Sequence, residues 1–483
     1  MNQSTKSDQI IKKTSISMAA RLKTALLILT LSLLSHCSKK PGIIEDIGLD
    51  DSIQTLELTD PISDPETTSD SVTTNASRTN VLFIIADDFG VDAMPRYPFG
   101  SRKAIMPTLE QLMDNGIRFT NVWTNPVCSP TRASILTGKY GYRTGVLNAE
   151  EAGRINVNEQ TLHRSLNELT DSPYSTSIIG KWHLSSRNTP NRPQEMGIGY
   201  YAGLYTGGVD DYNNWSLNTN GESSNETSYI TTKLTDLAID WIGAQEQPWF
   251  CWLAYTAPHS PFHLPPTNLH TQGNLPEDAE SIQANTLQYY LAMVESLDHE
   301  INRLLNTLST EVRQNTVIVF MGDNGSPAQV AQTPFDSQNS KGSLYQGGIH
   351  VPMLISGAGV SRFGAIENTL ITSVDLHNTF LEIAGLTPNE GIDSQSFYSL
   401  LKNEITGQRQ YNYTEVLNDR SHRSGHTIAN NQYKLIVLDD GSKEYYDLLN
   451  DPSENTNLFN RTLSAEASAA LTELTSELAN IRR

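Results

Sequence analysis

Short continuous apolar runs recur along the chain, and between them apolar residues repeat every three or four positions. A continuous run predicts a strand buried on both faces, whereas the longer repeat predicts a helix. The predicted strands are Asn80–Ala86, Ile117–Trp123, Ser177–Ile179, Trp249–Ala254, Thr316–Met321 and Met353–Ile355. The predicted helices are Pro107 to just before Gly116, Thr231–Gly243, Ala284–Leu308 and Asp375–Ala384. This alternation predicts an α/β fold with a large, mainly parallel central sheet flanked by helices.

The pattern changes near residue 405. Strand-like segments, Gln432–Val437 and Glu444–Tyr446, precede a helical pattern over Ser464–Ile481. We therefore expect a main domain over residues 79–404 and a smaller C-terminal α+β subdomain over residues 405–483.

The N-terminal pattern is that of an export signal. Four basic residues precede the apolar run Ala25–Leu34, which is too short for a bilayer-spanning helix: Lys12, Lys13, Arg21 and Lys23. The run ends at Cys37 and resembles a bacterial lipoprotein signal, although His36 stands where a small residue is usual. We expect residues 1–37 to direct export and Cys37 to carry a lipid anchor at the outer membrane or cell surface. Ordinary cleavage, giving a periplasmic or secreted protein, is the alternative.

Composition restricts the possible partners. Residues 38–78 are acidic and rich in Ser and Thr, which is typical of a flexible tether. The whole chain has 34 basic and 54 acidic residues and a net charge of −20. This charge argues against nucleic acid as a partner, and any anionic substrate would need a local basic pocket. Only a lipid anchor is expected to contact a membrane.

A cysteine motif is the first candidate for chemistry. In Cys128-Ser-Pro-Thr-Arg132, Pro130 is expected to open a helix with Cys128 at its N-terminal end, where free N–H groups favour an anion. Arg132, four residues on, is expected on the same helical face, directed toward the cysteine. On spacing alone, a helix-capping turn with an incidental cysteine is the alternative interpretation.

Acidic residues follow two predicted strands. Asp87 and Asp88 come directly after the first strand, and Asp323-Asn324 come just after Thr316–Met321. The carboxyl ends of parallel strands meet at one edge of a sheet, where ligands bind. Carboxylate and amide oxygens suit Ca²⁺ better than Zn²⁺ or copper. Solvated loop acids are the alternative interpretation.

Basic residues occupy similar positions. Lys181 and His183 follow the strand Ser177–Ile179, His259 follows Trp249–Ala254, and Lys341 precedes a glycine-rich loop. Lys181 and His183 are two apart, so both can face one way on an extended segment. Each alone is typical of a surface or structural residue, but together they would supply a basic pocket.

The pattern Cys128-x-Pro130-x-Arg132, followed by Leu136-Thr-Gly138, resembles the signature of type I, formylglycine-dependent sulfatases of the alkaline-phosphatase-like superfamily. The resemblance runs from Asn80 to about Leu458 and rests on several motifs in the same order. It implies that a maturation enzyme converts Cys128 to formylglycine. It also implies one Ca²⁺ per chain, held by Asp87, Asp88, Asp323, Asn324 and the converted Cys128.

The family also implies roles for the basic residues. The converted cysteine would hydrate to a diol, one hydroxyl of which attacks sulfur. The second hydroxyl would then expel sulfate and restore the aldehyde, a step that an unmodified thiol cannot perform. Arg132, Lys181 and Lys341 would stabilise charge on the sulfate. His259 would protonate the departing alkoxide, and His183 would help to deprotonate the second hydroxyl. The chain has His350 where the family usually has Arg, which we interpret as a structural or specificity difference.

The resemblance suggests a sulfated carbohydrate, such as an algal polysaccharide or its oligosaccharides, as the substrate. Tyr200–Trp215 is rich in aromatic residues and Asn, a composition suited to sugars. Asp210, Asp211 and His263 are candidate substrate residues. The alternatives are a phosphodiester or phosphonate monoester hydrolase of the same superfamily, a non-catalytic glycan-binding relative and a membrane-surface interaction protein.

Overall fold

The computed structural model describes residues 78–150, 155–168, 173–402, 409–417 and 424–483. The predicted export signal and all of the predicted tether except Arg78 lie outside the described residues. The predicted domain boundary, between residues 404 and 405, lies outside them too. These three features stay predictions.

The main sheet has 10 strands, in the order β11-β2-β10-β9-β1-β8-β4-β5-β6-β7. Its central strands β9, β1, β8, β4 and β5 all run parallel, and antiparallel pairs flank them on both sides. This confirms the predicted fold class of a large, mainly parallel sheet. The strands are β1 (Asn80–Ala86), β2 (Gly116–Phe119), β4 (Ser175–Lys181), β5 (Tyr200–Leu204), β6 (Trp215–Thr219), β7 (Glu222–Glu226), β8 (Trp249–Ala254), β9 (Thr316–Gly322), β10 (Met353–Gly357) and β11 (Ala365–Glu367).

Helices cover the sheet, and their apolar faces form two buried clusters with the two faces of its strands. Strand β1 is buried along its whole length, as its continuous apolar sequence predicts. The α-helices described up to residue 402 are Pro107–Asp114, Cys128–Thr137, Gly141–Thr144, Leu162–Asn167, Arg192–Glu195, Ile230–Gly243, Ala279–Ala284, Thr286–Thr307, Thr310–Gln314, Gln346–Ile349 and Asp375–Ile383. Among the described helices, none combines the length and apolar content that crossing a membrane requires.

The C-terminal part forms a separate antiparallel sheet of four strands, β13-β14-β15-β16, on which the final helix packs. Ser464 caps that helix, because its hydroxyl accepts a hydrogen bond from the Ala467 N–H. The strands are β13 (Asn412–Val416), β14 (Gly425–Ala429), β15 (Tyr433–Leu438) and β16 (Lys443–Asp447), and the helix is Ala465–Ile481. The predicted α+β character of this part is confirmed.

Three predicted elements differ in detail. Ile117–Trp123 is two strands, because the chain leaves β2 after Phe119 and then forms β3 (Val122–Trp123), which pairs with β12 (Ile371–Thr372) in another sheet. The predicted helix Ala284–Leu308 begins at Thr286, because Asn285, at φ −131°, separates it from a shorter helix. The predicted recognition loop Tyr200–Trp215 contains β5 and leads into the hairpin of β6 and β7. That hairpin turns at Asn220-Gly221, both with positive φ, a turn signal that the sequence carried.

Gly180 allows two central strands to lie close together. Its φ is 117°, and a Cβ at this position would lie 1.9 Å from the carbonyl oxygen of Ala254. We therefore expect Gly180→Ala to lower the free energy of unfolding by at least about 1 kcal/mol. Urea unfolding followed by circular dichroism measures this.

The matched control is Gly243→Ala, because a Cβ at Gly243 has no atom within 4 Å. A Gly180→Ala protein as stable as the Gly243→Ala protein would contradict the close packing of β4 on β8.

Candidate active site

The carboxyl ends of four central strands lie next to one another at one edge of the main sheet. Asp87 and Asp88 follow β1, Asp323 and Asn324 follow β9, Lys181 ends β4, and His259 lies in the loop after β8. The strand order β9-β1-β8-β4 makes these ends neighbours although the residues are up to 237 positions apart in the chain. The backbone N–H of Asp88 donates to Asp323 Oδ1 at 2.9 Å, which joins the two acidic segments directly.

Each of the three buried carboxylates has a basic partner. Lys181 Nζ lies 2.5 Å from Asp87 Oδ2, and Lys341 Nζ lies 2.5 Å from Asp88 Oδ1. Arg132 donates to Asp323 Oδ2 at 2.8 Å. The three acids, Arg132 and Lys181 are at most 2% exposed. Such burial would strongly disfavour the carboxylates without neutralising cations.

Cys128 is the first residue of its helix. Val127 is the N-cap residue and supplies no side-chain cap, so Pro130 lies two residues inside the helix rather than at its opening. The Sγ of Cys128 lies 3.1 Å from Nδ1 of His183. Arg132 does not hydrogen-bond to Cys128 in the described structure. Instead, its guanidinium binds Asp323 and the backbone oxygen of Lys181.

His183 reaches the site through a turn. Its φ of 52° is left-handed, so the segment after Lys181 is not extended as we predicted. Ser129 holds this turn in place by donating its hydroxyl to the His183 backbone oxygen at 2.9 Å. Lys181 and His183 still converge, but the turn and not a two-residue period brings them together.

Burial and charge set the protonation of the site. Burial raises the pKa of the Cys128 thiol, which makes an unmodified cysteine here a poor nucleophile. Burial also lowers the pKa of His183 well below its usual value, and Lys181 lowers it further. Burial opposes the charge on Lys181, but Asp87, Cys128 and Asp323 together outweigh it and raise the Lys181 pKa. Near neutral pH the site therefore holds a charged lysine beside a neutral imidazole.

The acidic residues and Asn324 fit a hard cation. Asp87 Oδ1 and Asn324 Oδ1 are buried and have no hydrogen-bond partner. One ligand atom each from Asp87, Cys128 and Asp323 lies within 4.8 Å of the others, and the same holds for Asp87, Asp88 and His259. Unsatisfied buried oxygens are rare unless a ligand uses them, and an oxygen-rich set suits Ca²⁺. Asp88 Oδ1, however, accepts from Asn324 Nδ2 at 2.8 Å.

Several supporting residues escaped the sequence analysis. Thr131 donates to the Asp323 backbone oxygen, and Tyr290 donates to the Asp88 backbone oxygen, both at 2.9 Å. Gly207 lies so close to His183 that a Cβ there would be 2.5 Å from the ring. A cysteine motif and strand ends give no signal for these contacts, because they come from distant segments.

The remaining candidate residues make contacts outside this centre. Asp210 lines a groove of about 300 Å³, whereas Asp211 accepts a hydrogen bond from the N–H of Asn213. His263 contacts the Tyr229 hydroxyl at 3.2 Å and stacks near Tyr212. His350 is buried, with its Nε2 2.9 Å from the Thr120 backbone oxygen, which fits the structural reading of this departure. Their predicted roles in substrate binding stay predictions.

The sheet, its helices and the residues at the strand ends define a hydrolase of the alkaline-phosphatase-like fold. The sequence model of the Sulfatase family matches residues 79–386. A second model, described as N-sulphoglucosamine sulphohydrolase, C-terminal, matches residues 337–483. This chain therefore belongs to the sulfatase family, and it is a sulfuric ester hydrolase.

Individual relatives agree with this assignment. The uncharacterized sulfatase YdeN of Escherichia coli (strain K12) is 30% identical over 398 residues, with 70% of this chain and 68% of that protein covered. The ulvan-active sulfatase of Formosa agariphila is 26% identical over 440 residues, with 83% and 82% covered. The crystal structure of Ps i-CgsB in complex with k-i-k-neocarrahexaose has a TM-score of 0.70 and 25% identity, with 84% of this chain and 92% of that chain covered.

Calcium should stabilise the folded protein. We expect Ca²⁺ added to the chelator-treated protein to raise its melting temperature, because a ligand present at 100 times its Kd adds about 2.7 kcal/mol. Asp87→Asn should abolish most of the rise, because it removes a carboxylate that offers an unsatisfied oxygen. Differential scanning calorimetry measures both.

Glu246→Gln is the control, since Glu246 is exposed and precedes β8, at the end of that strand opposite its carboxyl end. An equal response to Ca²⁺ in the Asp87→Asn and Glu246→Gln proteins would rule out this metal site.

Proposed function

We propose that this protein is exported and hydrolyses sulfate esters on a sulfated carbohydrate. The observation that carries the chemistry is the position of Cys128, buried beside His183 and beside the carboxylates that Lys181 and Arg132 neutralise. This arrangement combines a nucleophile position, a cation site and basic side chains that can bind an anion. An ester hydrolase for an anionic group needs all three.

The basic residues explain how an acidic protein can bind a sulfate. In the described site, Lys181, Lys341 and Arg132 each pair with a carboxylate. A divalent cation held by Asp87, Asp88, Asp323 and Asn324 would take over that neutralisation. The two lysines would then be available to bind the sulfate oxygens. Bound Ca²⁺ would supply a fixed positive charge that polarises the sulfate and the side chain at position 128.

Cys128 requires conversion for this chemistry. The raised pKa of its thiol disfavours the thiolate. We propose that a maturation enzyme oxidises it to formylglycine, which supplies a hydrated aldehyde whose hydroxyl can attack sulfur and whose partner hydroxyl allows sulfate to leave. We propose that His183 accepts a proton there, and the distance of 3.1 Å between its Nδ1 and the residue-128 side chain supports this role.

We propose His259 as the acid that protonates the leaving alkoxide. Its Nδ1 donates to the Ser260 backbone oxygen at 2.7 Å, which leaves Nε2 directed toward Asp88 Oδ2, 3.7 Å away. Burial lowers the pKa of His259 to about 4, against the effect of Asp88. A bound sulfate would raise this pKa, because a nearby anion favours the imidazolium. The protonated form can then donate to the leaving alkoxide.

The carbohydrate class is supported by the relatives and by the surface next to the site. The Formosa protein is named an ulvan-active sulfatase, and Ps i-CgsB was solved with a neocarrahexaose. A polar groove lined by Thr206, Asp210 and Asn214 offers hydrogen-bonding groups for sugar hydroxyls. Export through residues 1–37, with a lipid at Cys37, would bring such an enzyme to environmental polysaccharides.

The function is tested by a substrate screen. We expect release of free sulfate from sulfated oligosaccharides, and a lower kcat/KM for phosphate mono- and diesters of matched leaving group, because the candidate metal groups found in the described residues form one centre. Ion chromatography measures sulfate, and NMR of the products identifies the position. Faster cleavage of a phosphate ester than of its sulfate counterpart would favour the phosphodiester or phosphonate alternative.

Active protein should carry an aldehyde at position 128. Mass spectrometry of the Cys128 peptide is expected to show conversion of the thiol when the maturation enzyme is co-expressed. Cys128→Ala should reduce sulfate release to background, whereas Cys251→Ala, at a buried position on β8, should retain it. Full activity with an unmodified thiol would refute the proposed nucleophile.

His259→Ala should be selective in its effect. We expect kcat to fall about 100-fold or more on carbohydrate sulfates and much less on activated aryl sulfates, because a good leaving group needs little proton donation. The exposed His299 provides the control variant His299→Ala. Equal losses on both substrate classes would show that His259 is not the acid.

A further inference from the structure

A polar groove opens directly beside His259. Gly208 lines this groove, and a Cβ at Gly208 would lie 3.2 Å from the imidazole Cε1 of His259. The neighbouring Gly207 contacts His183 in the same way. The turn Thr206–Gly208 therefore touches both histidines of the proposed site and also forms one wall of the groove.

The groove has two exposed charged side chains of opposite sign. Arg187, four residues after His183, and Asp210, just beyond the glycine turn, both line it. Neither has a hydrogen-bond or ion-pair partner in the described part of the chain, and no ion pair of 4.0 Å or less joins them. The remaining polar lining includes Thr206, Asn214, Ser216, Asn218 and Asn225.

Arg187 differs from Arg132, the arginine of the proposed site, which pairs with Asp323 at 2.8 Å. The Arg187 guanidinium is therefore available to a ligand, although the chain has 54 acidic residues for 34 basic ones. A free guanidinium presents a planar set of donors that fits a sulfate or carboxylate with two parallel hydrogen bonds. Asp210 and the asparagines suit hydroxyl groups. The lining thus matches a sugar that carries a second negative group.

We propose that this groove binds the sugar next to the one being desulfated, with Arg187 binding a second sulfate or carboxylate on that sugar. The proposal rests on the carbohydrate sulfatase function and adds a specificity: a polyanionic chain is preferred over a singly sulfated one. Asp210 accepts hydrogen bonds from hydroxyls of the same sugar and disfavours an anionic group at its own end of the groove. Arg187 is a specificity residue and takes no part in the chemistry.

The test compares two carrageenan hexasaccharides, one with a single sulfate and one with two sulfates per disaccharide unit. We expect Arg187→Gln to lower the ratio of kcat/KM between the doubly and singly sulfated substrates by about tenfold, through KM, because one charge-assisted contact is lost. Arg187→Lys should restore part of the ratio. Arg461→Gln, which removes an exposed arginine elsewhere, should leave the ratio unchanged.

Binding provides a second measurement. In a Cys128→Ala background, calorimetry should show a similar loss of affinity for the doubly sulfated hexasaccharide on Arg187→Gln. If Arg187→Gln leaves both the kcat/KM ratio and the affinity unchanged, the subsite alone is overturned. An equal loss of kcat/KM on the two hexasaccharides would overturn it as well. If the wild-type chain neither binds either hexasaccharide nor releases sulfate from it, both the carbohydrate function and the subsite are overturned.

Discussion

Three buried carboxylates, those of Asp87, Asp88 and Asp323, lie close together. The backbone N–H of Asp88, next to Asp87 in the chain, donates a hydrogen bond to the Asp323 carboxylate. The mutual repulsion of the three carboxylates and their loss of hydration would be unfavourable without positive charge at the same place. Lys181, Lys341 and Arg132 supply that charge in the described structure. Removing one partner of such a buried pair typically costs about 3–5 kcal/mol. The balance of acids and bases at the strand ends is therefore a condition of the fold as well as of the chemistry.

The parallel centre of the sheet makes this balance possible. Strands β9, β1, β8 and β4 run in one direction, so residues at their carboxyl ends meet without long detours of the chain. Close approach of β4 to β8 at Gly180 puts Lys181 within reach of Asp87. The signature helix then fits against this edge, with Thr131 bonded to the backbone of Asp323 and Arg132 to its side chain. Scaffold and site share the same hydrogen bonds.

The site also differs from the rest of the protein in its local charge, because it contains basic side chains in an acidic chain. An overall charge of −20 would repel a polyanion at long range, but salt screens such fields beyond about 10 Å at 0.1 M. Local basic groups therefore decide binding once the substrate is near. Lys181 and Lys341 lie in the site, and Arg187 lines the adjoining groove. The proposed selectivity for a sulfated polymer depends on these local groups.

The sequence by itself determined the class of fold and the residues at the strand ends, because continuous apolar runs such as Asn80–Ala86 and Trp249–Ala254 are buried on both faces and leave little choice of structure. Its motifs also pointed to Cys128, Asp87 and Asp323. Only the tertiary structure decided the partners: Arg132 binds Asp323 rather than Cys128, and His183 reaches the cysteine through a left-handed turn. The split of Ile117–Trp123 between two sheets, and the place of Arg187 beside the site, likewise had no local signal. Local patterns fix burial and direction within one segment, whereas the pairing of side chains from segments 55 to 191 residues apart depends on how the strands are ordered.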